Sequence, residues 1–356
     1  MWRRVCQTFT ECPRWNYGDA SSRAQTAPHR TPVLAAALLA LWLAPNAAYG
    51  QQANPGFDPR QTEKHFDDLQ SGEGRPVRPP LRMPSLGRAT VSTDGKPLFV
   101  LRAVAVTGAS ALPHEQLATA YQPYLGKKVS QADLAAIAQA IGDLYRAAGF
   151  HLSRAIVPPQ DIEGGRVRIQ VIEGRITDVA LRGDGAEQFG VRPLLNPVLA
   201  EHPSRLPTLE RQLLLINGWP GVQITDSAIE EIGEATGCFR LIVTLKTWHI
   251  YASLGLDNLG SPAVGPWQTY AAAAFNSYLR PGDTLALNLS TIANDPRQLG
   301  FGRLSYDTPV GVDGVRLGGS VLYSEVRPGD ARRLYNDTHR PESFALHGTI
   351  LPWPPH

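Results

Sequence analysis

The sequence predicts an α+β chain made of two copies of a β-α-α-β-β unit, followed by a run of antiparallel strands with one apolar face. Three observations carry this. Between Phe99 and Trp248 the apolar residues pass twice through the same order of spacings: strand-like, helical, then strand-like again. Beyond His249 the period of two persists with no helical interruption. Glycine (33) and proline (30) are both abundant, which suits many short elements divided by turns.

The chain opens with an address. A basic lead (Arg3, Arg4, Arg14, Arg23, Arg30) precedes the apolar run Val33 to Ala44, and the small residues Ala47, Ala48 and Gly50 then lead into Gln51. These are the charged region, apolar core and cleavage site of a secretory signal peptide, which is expected over residues 1–50. Residues 51–97 are polar and rich in proline (Pro76, Pro79, Pro80, Pro84, Pro97). They read as a short helix, Arg60 to Leu69, and an extended linker. Of the three cysteines, Cys6 and Cys12 precede the apolar run, and Cys238 reads as a small buried apolar residue outside any disulfide framework.

The first unit is expected over 98–174. A strand from Phe99 ends at Gly108, Pro113 opens a helix to about Tyr124, and Ser130 is placed to cap a second helix, Gln131 to Ala148. In that helix Leu134, Ile137, Ala138, Ile141, Leu144 and Tyr145 recur at helical spacing. Strands Leu152 to Val157 and Arg166 to Ile172 complete the unit. The second unit, 175–248, repeats the order with strand Ile176 to Arg182, helices Val191 to Ala200 and Thr208 to Asn217, and strands Val222 to Ile229 and Cys238 to Trp248. The stretch Leu144 to Gly183 is the hinge between the two.

Charge and motifs exclude several functions. At 19% charged residues and net +2 the chain has no polyelectrolyte bias toward nucleic acid. His114, His151, His202 and His249 lack metal-ligand spacing, and no phosphate-binding loop, nucleophile elbow or zinc-protease motif occurs. No catalytic, cofactor-binding or metal-binding residue is therefore assigned, and no nucleotide is expected. Glu230 and Glu231 read as solvated charge, and Arg182-Gly-Asp184 as a turn.

Beyond His249, Ile250, Ala252, Leu254 and Leu256 alternate with Tyr251, Ser253, Gly255 and Asp257. Leu285, Leu287 and Leu289 do the same in a second segment, and Val315, Leu317, Val321 and Tyr323 in a third. Turns divide them at Asp257-Asn-Leu-Gly260, Arg280-Pro-Gly-Asp283 and Asp313-Gly314. This is the dyad pattern of transmembrane strands with a lipid face and an aqueous face, and a soluble β-sandwich gives similar alternation.

The motifs Tyr145-Arg-Ala-Ala-Gly-Phe150, Val157-Pro-Pro-Gln-Asp-Ile162 and Val171-Ile-Glu-Gly-Arg-Ile176 resemble those of the transporters of bacterial two-partner secretion, the haemolysin secretion and activation family. Asp257-Asn-Leu-Gly260, Arg280-Pro-Gly-Asp283 and Tyr306-Asp-Thr-Pro-Val-Gly311 are similar to the first barrel hairpins of the same family, in the right order.

The resemblance implies two periplasmic POTRA modules (98–174 and 175–248) and, over 249–356, the N-terminal part of an antiparallel transmembrane β-barrel. It implies an outer-membrane translocator of a Gram-negative bacterium, with the modules in the periplasm, outer-membrane lipid around the barrel, and a secreted exoprotein, a haemolysin or adhesin, as partner. The helix at 60–69 would be the family's plug.

The family places the second strand of each module at a sheet margin, where an extended client could pair with the backbone. The candidate client-binding residues are Leu152, Ala155, Ile156, Val157, Val222 and Ile224.

Residues 250–356 leave room for five or six strands, fewer than the at least about 8 of a single-chain barrel. The family's later Val-Arg-Gly-aromatic motif is also missing, so the barrel is expected to be incomplete. Two other functions fit parts of the pattern: a soluble periplasmic binding or chaperone module, and a general outer-membrane protein insertase.

Overall fold

The computed structural model describes residues 79–84, 96–233, 236–258, 265–327 and 342–350. The predicted signal peptide and the predicted helix at 60–69 lie outside them.

The first unit starts with β1 (Phe99–Val100), which pairs antiparallel with β3 (Lys128–Val129), and continues as β2 (Ala103–Thr107). The sequence predicts one strand here. It is broken because Leu101 turns wholly into the core, its N–H donating to Lys127 and its C=O accepting from Gly126. Helix α1 (His114–Tyr121) tightens into a 3-10 turn at Gln122–Tyr124, where Pro123 removes an α-helical donor.

Helix α2 (Gln131–Ala147) begins with a capping box. Asp133 N–H donates to Ser130 Oγ at 3.2 Å, and Ser130 N–H returns a bond to Asp133 Oδ2 at 2.8 Å. Its buried stripe is Leu134, Ile137, Ala138, Ile141 and Tyr145. Strands β4 (Arg154–Ile156) and β5 (Arg166–Ile172) follow, giving a sheet of order β2-β5-β4 with β2 parallel and β4 antiparallel to β5.

The second unit repeats this topology. Strand β6 (Arg175–Arg182) leads to a 3-10 turn at Arg192–Leu195 and helix α3 (Asn196–Ala200). Pro193 and Pro197 divide the single helix expected there. Helix α4 (Leu206–Asn217), β7 (Val222–Glu231) and β8 (Cys238–Thr247) complete a sheet of order β6-β8-β7. Cys238 is buried, as its type suggests, and it is disulfide-bonded, which corrects the expectation that it stands outside any disulfide.

The hinge of the sequence reading is a bonded joint. Gly174 N–H donates to Ser153 Oγ at 3.2 Å, and its C=O accepts from Ser204 N–H at 3.0 Å. Leu206 N–H donates to the Gly149 carbonyl at 2.9 Å, and the Arg205 guanidinium lies 5.2 Å from the centre of the Phe150 ring. A Cβ on Gly174 would collide with the Leu152 backbone, so glycine is required there.

The third sheet is an antiparallel meander of six strands in sequence order: β9 (Ile250–Asp257), β10 (Gln268–Asn276), β11 (Thr284–Ile292), β12 (Leu299–Val310), β13 (Val315–Val326) and β14 (Glu342–Ile350). Its register aligns apolar rows, such as Leu287, Leu304, Val321 and Phe344 across four strands. That face is open, with Leu254 87% and Leu346 88% exposed. The opposite face carries buried Asn288, Ser290, Ser305, Ser320 and Ser324. Buried Ile292, Phe301, Leu322 and Val326 share that face with the polar residues, so it is mixed, while the exposed face is apolar; an apolar face left outward is the reverse of a soluble sheet and matches a transmembrane barrel wall. Among the described residues the sheet is open, with β9 and β14 as its edges.

Candidate strand-docking edges

A three-stranded sheet has two edge strands, so the two units offer four: β2, β4, β6 and β7. What matters for docking is which of their outward N–H and C=O groups already have partners.

Strand β7 is partly occupied by this chain. Residues 79–84 run parallel to it, with Arg82 opposite Ala228. Arg82 N–H donates to the Ser227 carbonyl at 2.8 Å, Ile229 N–H donates to the Arg82 carbonyl at 3.1 Å, and Ser227 Oγ donates to the Pro80 carbonyl. The Arg82 guanidinium pairs with the Asp226 carboxylate, and Leu81 packs on the second core. Hydrogen bonding and attraction to Asp226 hold the guanidinium pKa above its ordinary value. Pro79, Pro80 and Pro84 have no N–H, which keeps the ladder short. Earlier on β7, Ile224 N–H donates to Asn217 Oδ1 at 2.9 Å.

Strand β4 has three residues, shorter than the predicted Leu152 to Val157. Its first, Arg154, forms a bidentate pair with Glu231 at 2.9 and 2.7 Å, both side chains largely buried. Glu231 is therefore a contact between the modules, which corrects its reading as solvated charge. Beyond β4, the Gln160 amide takes up both backbone groups of Arg168 at 2.8 Å each.

Strand β6 is covered at two points. Ser204 Oγ accepts from Ile176 N–H at 3.0 Å, and an Arg192 N–H donates to the Val179 carbonyl at 3.5 Å. No comparable bond is made to the outer side of β2 among the described residues.

The six candidate residues divide accordingly. Leu152 precedes β4 and is buried in the second core, while Ala155 and Val157 pack on the first. Val222 and Ile224 are buried in the second core. Ile156 alone shares the open face of its sheet, paired with exposed Gln170. An incoming strand would thus meet most of these positions through the backbone. The sequence reading missed Arg82 and Leu81; their one signal was the run of prolines that keeps the segment extended.

Glu173, in the motif joining the modules, organises the neighbouring loop. Its carboxylate accepts from Ser110 N–H at 2.6 Å, Ala111 N–H at 2.8 Å, Tyr145 Oη–H at 2.7 Å and the Ser110 hydroxyl. Burial pushes the carboxyl pKa up, but these bonds outweigh it and hold the group below the ordinary glutamate value. Burial, then the Glu173 bond and charge, push the Tyr145 phenol up.

The second unit also meets the first turns of the six-stranded sheet. The Trp219 indole donates to the Phe189 carbonyl at 2.8 Å, Gly282 lies against its ring, and the Arg316 guanidinium is 5.7 Å from the ring centre. Arg316 also donates to the Gly282 carbonyl at 3.0 Å. Asp283 holds the turn by accepting from the N–H groups of Tyr278, Leu279 and Arg280. Among the described residues no group of three or more His, Cys, Asp or Glu could hold a metal ion, and no helix is long and apolar enough to cross a membrane.

Two edge-bearing β-α-α-β-β modules are thus followed by a sheet whose apolar face is outward, as in a barrel wall. Residues 99–174 match the POTRA domain, ShlB-type. The chain is 28% identical over 243 residues to the heme/hemopexin transporter protein HuxB of Haemophilus influenzae, covering 66% of this chain and 42% of that protein. It is 28% identical over 208 residues to the outer membrane transporter CdiB of Escherichia coli, covering 57% of this chain and 34% of CdiB.

Among solved structures, CdiB from Escherichia coli aligns with a TM-score of 0.57 at 20% identity, covering 75% of this chain and 49% of that one. CdiB from Acinetobacter baumannii aligns at 0.51 and 17%, covering 81% and 56%. The chain thus resembles the two-partner secretion transporters, spans less than half the length of these curated relatives, and has relatives that are transporters rather than enzymes.

Proposed function

We propose that this chain serves two-partner secretion at the outer membrane, its two modules lying in the periplasm and capturing an unfolded exoprotein for passage through a barrel to which β9 to β14 contribute. The observation that carries this reading is the covalent succession of two edge-bearing modules and a sheet with its apolar face outward.

Capture works by backbone pairing, which tolerates varied side chains and suits a client that is not folded. The candidate edges are β4 around Ile156 and β7 around Val222 and Ile224, with residues 80–82 occupying part of β7 until the client replaces them. The chain performs no catalysis and uses no nucleotide, cofactor or metal; binding and release do the work. The open edges β9 and β14 must be paired for the sheet to persist in lipid, where each unpaired backbone group costs several kcal/mol.

A soluble periplasmic module is less well supported, because Leu254 and Leu346 would stand almost fully in water. The test expresses the full chain in a Gram-negative host and follows membrane fractionation, heat-modifiable migration and binding of an exoprotein N-terminal fragment. Membrane recovery with fragment binding supports the proposal. Recovery only as a soluble periplasmic protein, or no fragment binding, overturns it.

A further inference from the structure

Strand β2 has features that neither candidate edge has. It is a five-residue edge strand, paired on one side with β5 and without a described partner on the other. Val104 and Val106 pack on the core, while Ala103, Ala105 and Thr107 are exposed on the opposite face. Directly across the parallel register, Ala103 faces Arg166, Ala105 faces Arg168 and Thr107 faces Gln170. These β5 residues are exposed on the same face, and the two arginine side chains have no hydrogen-bond or ion-pair partner among the described residues.

We infer that β2 is a docking edge for an extended client segment with acidic side chains at alternate positions. The inference rests on the capture reading above and names the chemistry of the client. A strand added to β2 lies two strand spacings from β5, about 9–10 Å at roughly 4.8 Å each. Its open-face side chains at the levels of Ala103 and Ala105 point across those alanines toward Arg166 and Arg168.

The alanines have no atoms beyond Cβ, so they leave the path clear. An extended arginine and a glutamate together bridge the gap, and a carboxylate there gains two otherwise uncompensated cations. The backbone ladder supplies the pairing, and the arginine row selects the charge pattern of the segment and its register.

The test uses the full chain reconstituted in lipid discs and two labelled octapeptides, one alternating Glu and Val, its twin alternating Gln and Val. The Glu peptide is expected to bind about ten-fold more tightly at low salt, the scale of two exposed ion pairs, and the advantage should fade at high salt. Arg166→Gln with Arg168→Gln should abolish the advantage while leaving the Gln peptide's affinity unchanged. Ala105→Glu, which places a carboxylate opposite Arg168, should weaken the Glu peptide alone.

Equal binding of the two peptides, or an advantage that survives the double substitution in a chain with unchanged circular dichroism, overturns the inference. So does loss of binding to phosphatidylglycerol vesicles in the double variant with peptide binding intact, which would assign the arginines to lipid. Binding of an exoprotein fragment is measured in parallel: its persistence with no charge preference rejects this edge but keeps the capture reading, and its absence rejects both.

Discussion

Glu173 shows how one side chain can hold a module in shape. Its carboxylate gathers four donors from the loop after β2 and from α2. Because its pKa is held down in the folded protein, its contribution is fully present above the unfolded glutamate pKa of about 4.3 and is lost as pH falls through the folded value. Thermal melts should therefore show the first module weakening as pH drops from about 5 toward 3. Glu173→Gln should flatten that dependence and cost about 1–3 kcal/mol at neutral pH, since an amide leaves donors facing donors. An unchanged melting curve at both pH extremes would remove Glu173 from this role.

At the scale of elements, β7 and the segment beside it make a strand addition within one chain. The segment is held by two backbone bonds, the Ser227 hydroxyl bond to the Pro80 carbonyl, one ion pair and one packed leucine, which is little compared with a full ladder. Deleting residues 79–84 should therefore raise the affinity of an exoprotein fragment measured by calorimetry, and Arg82→Ala should do so more weakly. Lower affinity on deletion would mean that the segment helps to build the site. Strand β4 gives a contrasting case: Ile156→Pro should weaken capture if β4 is used, and a folded variant with unchanged binding would eliminate that edge. Helix α2 depends on its cap, so Ser130→Ala should lower stability by about 1 kcal/mol in denaturant titration.

For the whole molecule, contacts between the second module and the turns of the six-stranded sheet set the relation of parts. Trp219 is 6% exposed, wedged between its own module and the turn at Gly282, with Arg316 over its ring. Trp219→Ala should cost about 3–5 kcal/mol and raise hydrogen exchange in the turn 277–283 as well as in the module. Exchange confined to the module would separate the turn from it. On the outer face, Leu254→Arg should cost about 2–4 kcal/mol of insertion if β9 lies in lipid, read as a lower heat-modifiable fraction. Equal insertion would place β9 outside the bilayer.

Local order was legible because it follows from local rules. The period of two in Arg166 to Ile172, the helical stripe from Leu134 to Tyr145, the Ser130 cap and the alternation from Ile250 to Asp257 each reflect which face of an element meets a core or lipid, and that pattern is written along the chain. The sequence by itself determined the repeated β-α-α-β-β order and the antiparallel series after it. Tertiary structure alone decided which edges are open. Leu152 turned out to belong to the core of the neighbouring module, Glu231 to a pair with a residue 77 positions away, and β7 to a shared ladder with residue 82. Whether an edge N–H is free depends on what folds against it from elsewhere in the chain, and no periodicity records that.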